Sequence, residues 1–191
     1  MEGQVVNILI PLKSLSIFVL GTNVENYFHL NYEYISKEEM KVYSDTYTFP
    51  DLGVSLWTDE KTNKIIYEIR TDISCVYKGH ELINMLYDDF LSLVNLLPDD
   101  IGDIYVRGPK KNGRNYGVYY FDSLGLTLYV WRGCIRFINV SNYDVFVNAW
   151  LKAFWMQGTI EKTNHIFYRF LQNRRWSTEK WKNGKEKICN S

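Results

Sequence analysis

From Tyr43 onward the chain alternates apolar and polar positions. "VYSDTYTF" and "LGVSLWT" put every second side chain on one face of an extended strand, the pattern of a half-buried sheet. The polar run Asp59 to Asn63 reads as a hairpin loop, after which Ile65, Tyr67 and Ile69 alternate with Ile66, Glu68 and Arg70. These strands predict a meander, and an extended piece from Ile73 to Tyr77 leads to a turn at Lys78-Gly79. A second meander is predicted from "VYYF", "LGLTLYVW" and "CIRFINV", with Arg132-Gly133 at its tight turn.

Between these stretches the spacing changes. Leu86, Phe90, Leu93 and Leu97 share one helical face, Asp88 and Asp89 favour the helix start, and Pro98 ends it. Thr22 and Glu25 have the spacing of a capping box ahead of Val24, Tyr27 and Phe28, which predicts a short helix; Ser36 to Glu39 repeats the signal. Val5 to Val19 is apolar but holds Pro11, so it reads as a broken or edge strand. Beyond the second meander, Ser141 or Asn142 caps an expected helix through Gln157, and a further helix is expected from Thr163 to Trp176.

The two meanders spell nearly the same text. Tyr47 to Trp57 aligns without gaps on Tyr119 to Tyr129, with identity at Tyr47/Tyr119, Phe49/Phe121, Leu52/Leu124, Gly53/Gly125 and Leu56/Leu128. A helical signal precedes each. The expectation is therefore an α+β fold: two copies of a helix plus antiparallel β-meander unit, residues 1–78 and 79–141, followed by a helical, basic C-terminal extension over 142–191.

Composition supports a packed interior, since 46% of the 191 residues are hydrophobic and 16% aromatic. The formal charge is zero, but residues 1–149 hold 13 Lys/Arg against 19 Asp/Glu, whereas residues 150–191 hold 9 against 3. The body is acidic and the tail basic. Met1-Glu2-Gly3 gives no basic start to a signal peptide, Lys13 interrupts the first apolar stretch, and no run is long enough for a spanning helix, so a cytoplasmic protein with no membrane partner is expected. The three cysteines, Cys75, Cys134 and Cys189, show no metal spacing and fit a reducing compartment.

Catalytic signatures are missing. His29, His80 and His165 have no partner at metal or triad spacing, and no phosphate-binding glycine loop or nucleophile elbow is present. The doublets Asp88-Asp89 and Asp99-Asp100 read as a helix start and a post-proline turn. No catalytic residue, metal or cofactor is assigned. An enzyme with a dispersed site around Cys75 and His80 is one alternative. A nucleic-acid adaptor is another; it uses Arg174, Arg175, Trp176, Lys180, Trp181 and Lys182 of the tail for phosphate contact and base stacking, with the loop from Arg107 to Gly117 as a second basic stretch.

The pattern F-x-x-L-G-[VL]-x-L after a short helical start, given twice over residues 15–140, resembles the tandem-repeat β-lactamase-inhibitor-like proteins and, in texture, small bacterial immunity-type proteins. The resemblance implies binding rather than turnover: a protein that masks a protein partner such as a toxin. Trp57, Tyr67, Tyr119, Tyr129 and Trp131 are then the candidate partner-binding residues, because aromatic anchors give large contact area at low entropic cost, and the acidic body suits a basic partner.

Overall fold

A computed structural model of the chain describes residues 6–40, 44–58, 62–106, 113–142, 144–145 and 147–148. The N-terminal segment folds into three two-residue strands, β1 (Leu9–Ile10), β2 (Ser14–Leu15) and β3 (Phe18–Val19), paired in that order. A 3-10 turn, Val24–Tyr27, leads to β4 (Glu33–Ile35), the one-turn helix α1 (Lys37–Met40), β5 (Asp45–Phe49), β6 (Val54–Thr58) and β7 (Glu68–Thr71). A small hairpin, β8 (Val76–Tyr77) and β9 (His80–Glu81), precedes helix α2 (Tyr87–Val94). The chain then forms β10 (Asp100–Val106), β11 (Arg114–Phe121), β12 (Leu126–Trp131) and β13 (Cys134–Ser141).

Eight of these strands make one antiparallel sheet in the order β10-β11-β12-β13-β7-β6-β5-β4. This corrects the expected α+β class. The fold is mainly β, α1 and α2 are short, residues 144–145 and 147–148 are the other α-helical positions among the described residues, and the two meanders share one sheet rather than each standing beneath its own helix. The helical signal at Thr22 produces only a 3-10 turn: Asn23 is its N-cap, accepting from the Glu25 N–H at 2.7 Å, while the Thr22 hydroxyl is turned back to the Val19 carbonyl at 2.8 Å. Four residues cannot repay the cost of nucleating a longer helix here. Of the predicted C-terminal helices only the start is described: residues 144–145 and 147–148 are helical and Asp144 and Val145 N–H donate to the capping Asn142 Oδ1, while the rest lies outside the described residues.

The sheet is built about a local two-fold axis. Tyr47 pairs with Leu56 and Phe49 with Val54; Tyr119 pairs with Leu128 and Phe121 with Leu126. Leu56 then faces Ile69, as Leu128 faces Ile138, and Val54 faces Thr71, as Leu126 faces Val140. The chain entering each meander is tied down alike: Ile66 N–H donates to Thr22 O and Ile135 N–H to Met85 O, both at 2.9 Å, while Val24 N–H reaches Lys64 O and Tyr87 N–H reaches Gly133 O. Where β7 meets β13, Ile138 pairs with Thr71 and Val140 with Ile69. Exchanging the two meanders maps one of these pairs onto the other, so the axis passes through the central pair, Arg70 and Asn139.

One face of the sheet carries Tyr47, Phe49, Val54, Leu56 and Ile69 in the first meander, and Tyr119, Phe121, Leu126, Leu128, Ile138 and Val140 in the second. The N-terminal strands and α2 cover it. Phe18 packs on Phe49 with ring centroids 4.7 Å apart, and Phe90 of α2 packs on Phe121 at 5.2 Å. Leu15, Phe18, Leu56, Phe90, Phe121 and Leu128 are fully buried in this core. Removing such a side chain costs about 2–5 kcal/mol through lost transfer energy and the cavity left behind.

Candidate binding surface

The opposite face is polar and aromatic. In strand order it carries Thr46 and Thr48, Ser55 and Trp57, Glu68 and Arg70, Phe137 and Asn139, then Thr127 and Tyr129. Trp57 and Tyr129 occupy equivalent places on either side of the axis. Trp57 lies opposite Thr46 and Glu68; Tyr129 lies opposite Val118 and Phe137 and stacks on the Phe137 ring at 4.0 Å. The Arg70 guanidinium sits 3.9 Å from the same ring, and Tyr116 meets it edge-on at 5.2 Å. At the axis the Asn139 amide donates to Glu68 Oε1 at 2.5 Å. Phe137, Glu68, Asn139, Thr46 and Thr127 are buried, and Trp57, Arg70 and Tyr129 are half-buried, so this face is packed rather than an open platform.

The five aromatic residues predicted for partner contact are therefore divided. Trp57 and Tyr129 share the polar face. Tyr119 is on the core face, stacked on Tyr87 at 4.1 Å, and Tyr67 is buried with its hydroxyl bonded to Ser44. Trp131 lies at the end of β12 beside the Arg132-Gly133 turn, where it is surrounded by the guanidinium groups of Arg114, Arg132 and Arg136. The tail residues Arg174, Arg175, Trp176, Lys180, Trp181 and Lys182 fall outside the described residues.

Exposed apolar side chains lie on the N-terminal segment, at Val6, Ile8, Ile10, Leu12 and Ile17, and on a strand the sequence reading passed over. Among the described residues β10 is the last strand of the sheet, paired to β11 on one side only. Its side chains Ile101, Ile104, Tyr105 and Val106 are 55%, 44%, 63% and 40% exposed. Asp99, Asp100 and Asp103 accompany them, with no basic residue between positions 99 and 106. In an antiparallel edge strand, alternate N–H and C=O groups point outward with no partner strand to satisfy them. The signal was weak because "DDIGDIYV" holds three aspartates and a glycine, residues depleted in strands, directly after Pro98.

The Cys75 and His80 neighbourhood does not form a nucleophilic centre. Cys75 is fully buried, and burial, followed by the nearby Glu81 carboxylate, pushes its thiol far up, the reverse of what a reactive thiolate needs. Glu81 serves as a brace: Oε1 accepts from the Cys75 and Ile83 N–H groups at 2.8 and 2.9 Å, and Oε2 accepts from the Ser74 hydroxyl at 2.7 Å. His80 is exposed in the β8–β9 hairpin. Asp88 and Asp89 occupy the first turn of α2, and Asp99 Oδ2 accepts from the Asp122 N–H at 2.7 Å. Among the described residues no group of His, Cys, Asp or Glu is arranged to hold a metal ion, and no helix is long and apolar enough to cross a membrane.

The chain matches no protein-family model, no curated protein and no solved structure.

Proposed function

We propose that this chain is a non-catalytic protein-binding module that masks a partner, in the manner of an immunity or inhibitor protein, and that the partner docks along β10. The supporting observation is the edge left open among the described residues: seven residues long, with four apolar side chains exposed along it. An extended segment of the partner adds there as a ninth strand, its backbone groups completing the ladder and its side chains packing beside Ile101, Ile104 and Tyr105. Asp99, Asp100 and Asp103 favour a segment that carries Lys or Arg. They disfavour a second copy of this chain, which would bring its own three aspartates to the same seam.

The test is affinity purification of the tagged protein from its source cell, run beside an Ile101→Lys/Ile104→Lys variant. Both side chains are well exposed, so the variant keeps its fold while adding charge to the edge. The expected result is one protein recovered in amounts comparable to the bait with the parent chain and lost with the variant. Recovery of no such protein, or equal recovery with both, refutes the reading.

A further inference from the structure

We propose that the arginines gathered on Trp131 form a binding site for a phosphate group. The guanidinium carbons of Arg114 and Arg132 each lie 4.4 Å from the indole centroid, and that of Arg136 lies 5.6 Å away. Three separate features bring them there. Arg114 opens β11, Arg132 sits in the β12–β13 turn at φ 52°, and Arg136 is placed by a bulge. Tyr129 pairs with Phe137 and Val130 with Ile135, which leaves Arg136 as the extra residue of β13 with none opposite.

No carboxylate among the described residues pairs with any of the three. Arg136 donates one Nη1 bond to Asn84 Oδ1, while its buried Nε has no acceptor. The indole offsets part of the mutual repulsion through its electron-rich face but supplies no lone pair to the N–H donors. Three positive charges, each within 5.6 Å of one indole centroid in an otherwise acidic body, call for an oxyanion. A phosphate dianion neutralises more of this charge than a carboxylate does and offers oxygens in several directions for separate guanidinium forks. Because guanidinium groups already lie on the indole, recognition is by the anion and not by stacking of a ring on Trp131. The site stands independently of partner docking at β10.

The test is titration of the full chain with inorganic phosphate, followed through the Trp131 indole N–H and Arg136 Nε–H signals in 1H–15N spectra, with Trp131→Phe and Arg136→Lys used for assignment. The expected result is a saturable shift, weakened about tenfold in an Arg114→Gln/Arg132→Gln variant, as loss of charge-assisted hydrogen bonds implies. Both substituted residues are exposed, so the unaltered remainder of the spectrum reports an intact fold. Phenyl phosphate binding more tightly than dimethyl phosphate assigns the site to terminal phosphates, and the reverse order assigns it to phosphodiesters. The inference is overturned by no saturable shift, by an equal response to chloride at matched ionic strength, by acetate binding as tightly as phosphate, or by unchanged binding in the double variant.

Discussion

Gly53 and Gly125 occupy matching positions in the two meanders and share a left-handed backbone, with φ 60° and 62°. Replacing either with alanine carries the same conformational cost, about 1 kcal/mol for an L-residue in this region. Their surroundings differ. A Cβ at Gly53 would meet Ile73, Cδ1 at 2.4 Å, Cγ1 at 2.8 Å and Cβ at 2.9 Å; Ile73 is exposed, so its outer atoms can rotate aside and the Cβ contact asks only a small shift of an exposed backbone segment. A Cβ at Gly125 would lie 2.2 Å from the backbone oxygen of Ser141, with Leu12 Cδ2 at 2.6 Å. That oxygen cannot swing away alone, because the Ser141 N–H donates to the Gly125 carbonyl at 2.8 Å and Ser141 ends β13. Overpacking against a fixed group adds about 1–3 kcal/mol. Gly125→Ala is therefore expected to destabilise by about 2–4 kcal/mol and Gly53→Ala by about 1–2 kcal/mol. Urea unfolding followed by tryptophan fluorescence, with slopes compared, measures both. Equal losses, or a larger loss for Gly53→Ala, would show that backbone conformation alone sets the cost and that the close approach to Ser141 carries no weight.

Further outcomes follow from Glu81, Cys75 and Tyr87. Glu81→Ala strips acceptors from two backbone N–H groups and is expected to cost about 2–4 kcal/mol, whereas Glu81→Gln keeps one acceptor oxygen and costs less; equal losses in urea unfolding count against the bracing role. In a Cys134→Ser/Cys189→Ser background the Cys75 thiol should react with a disulfide reagent only on unfolding, and labelling of the native protein at a free-thiol rate contradicts its burial. Burial, then the proximity of Tyr119 and Asp88, raises the Tyr87 phenol to about 12. The fold favours its neutral form, so its contribution is whole below the ordinary phenol value of about 10 and is lost as pH climbs through 12. Tyr87→Phe should lessen the loss of stability across that window, and an unchanged alkaline profile argues against the assignment.

The strands were legible where side chains alternate against a buried face. Tyr47, Phe49, Val54 and Leu56, with Tyr119, Phe121, Leu126 and Leu128, declare one face of the sheet in the sequence alone. Helix α2 was legible from Leu86, Phe90 and Leu93, although it stops at Asn95, which takes the left-handed cap conformation three residues before Pro98. The fold class was misread because periodicity reports which face of a strand is buried and not which strand lies next to it. Nothing in "YEIRT" or "RFINVS" announces that Arg70 and Asn139 lie side by side and fuse two meanders into one sheet. For the surface, sequence counts aromatic residues but does not assign them to a side. Tyr119 and Tyr129 sit in adjacent strands, yet one faces the core and the other the polar side. The gathering of Arg136 on Trp131 depends on a bulge, a one-residue slip that composition does not record.

The two-fold arrangement of the sheet has unequal ends. Its outer strands occupy corresponding positions, yet β10 runs for seven residues and β4 for three before the chain turns into α1. A sheet open along both flanks can recruit strands indefinitely and grow into a fibre. With one flank cut short, addition at the other stops after a single event, and the expected complex is a finite one-to-one pair.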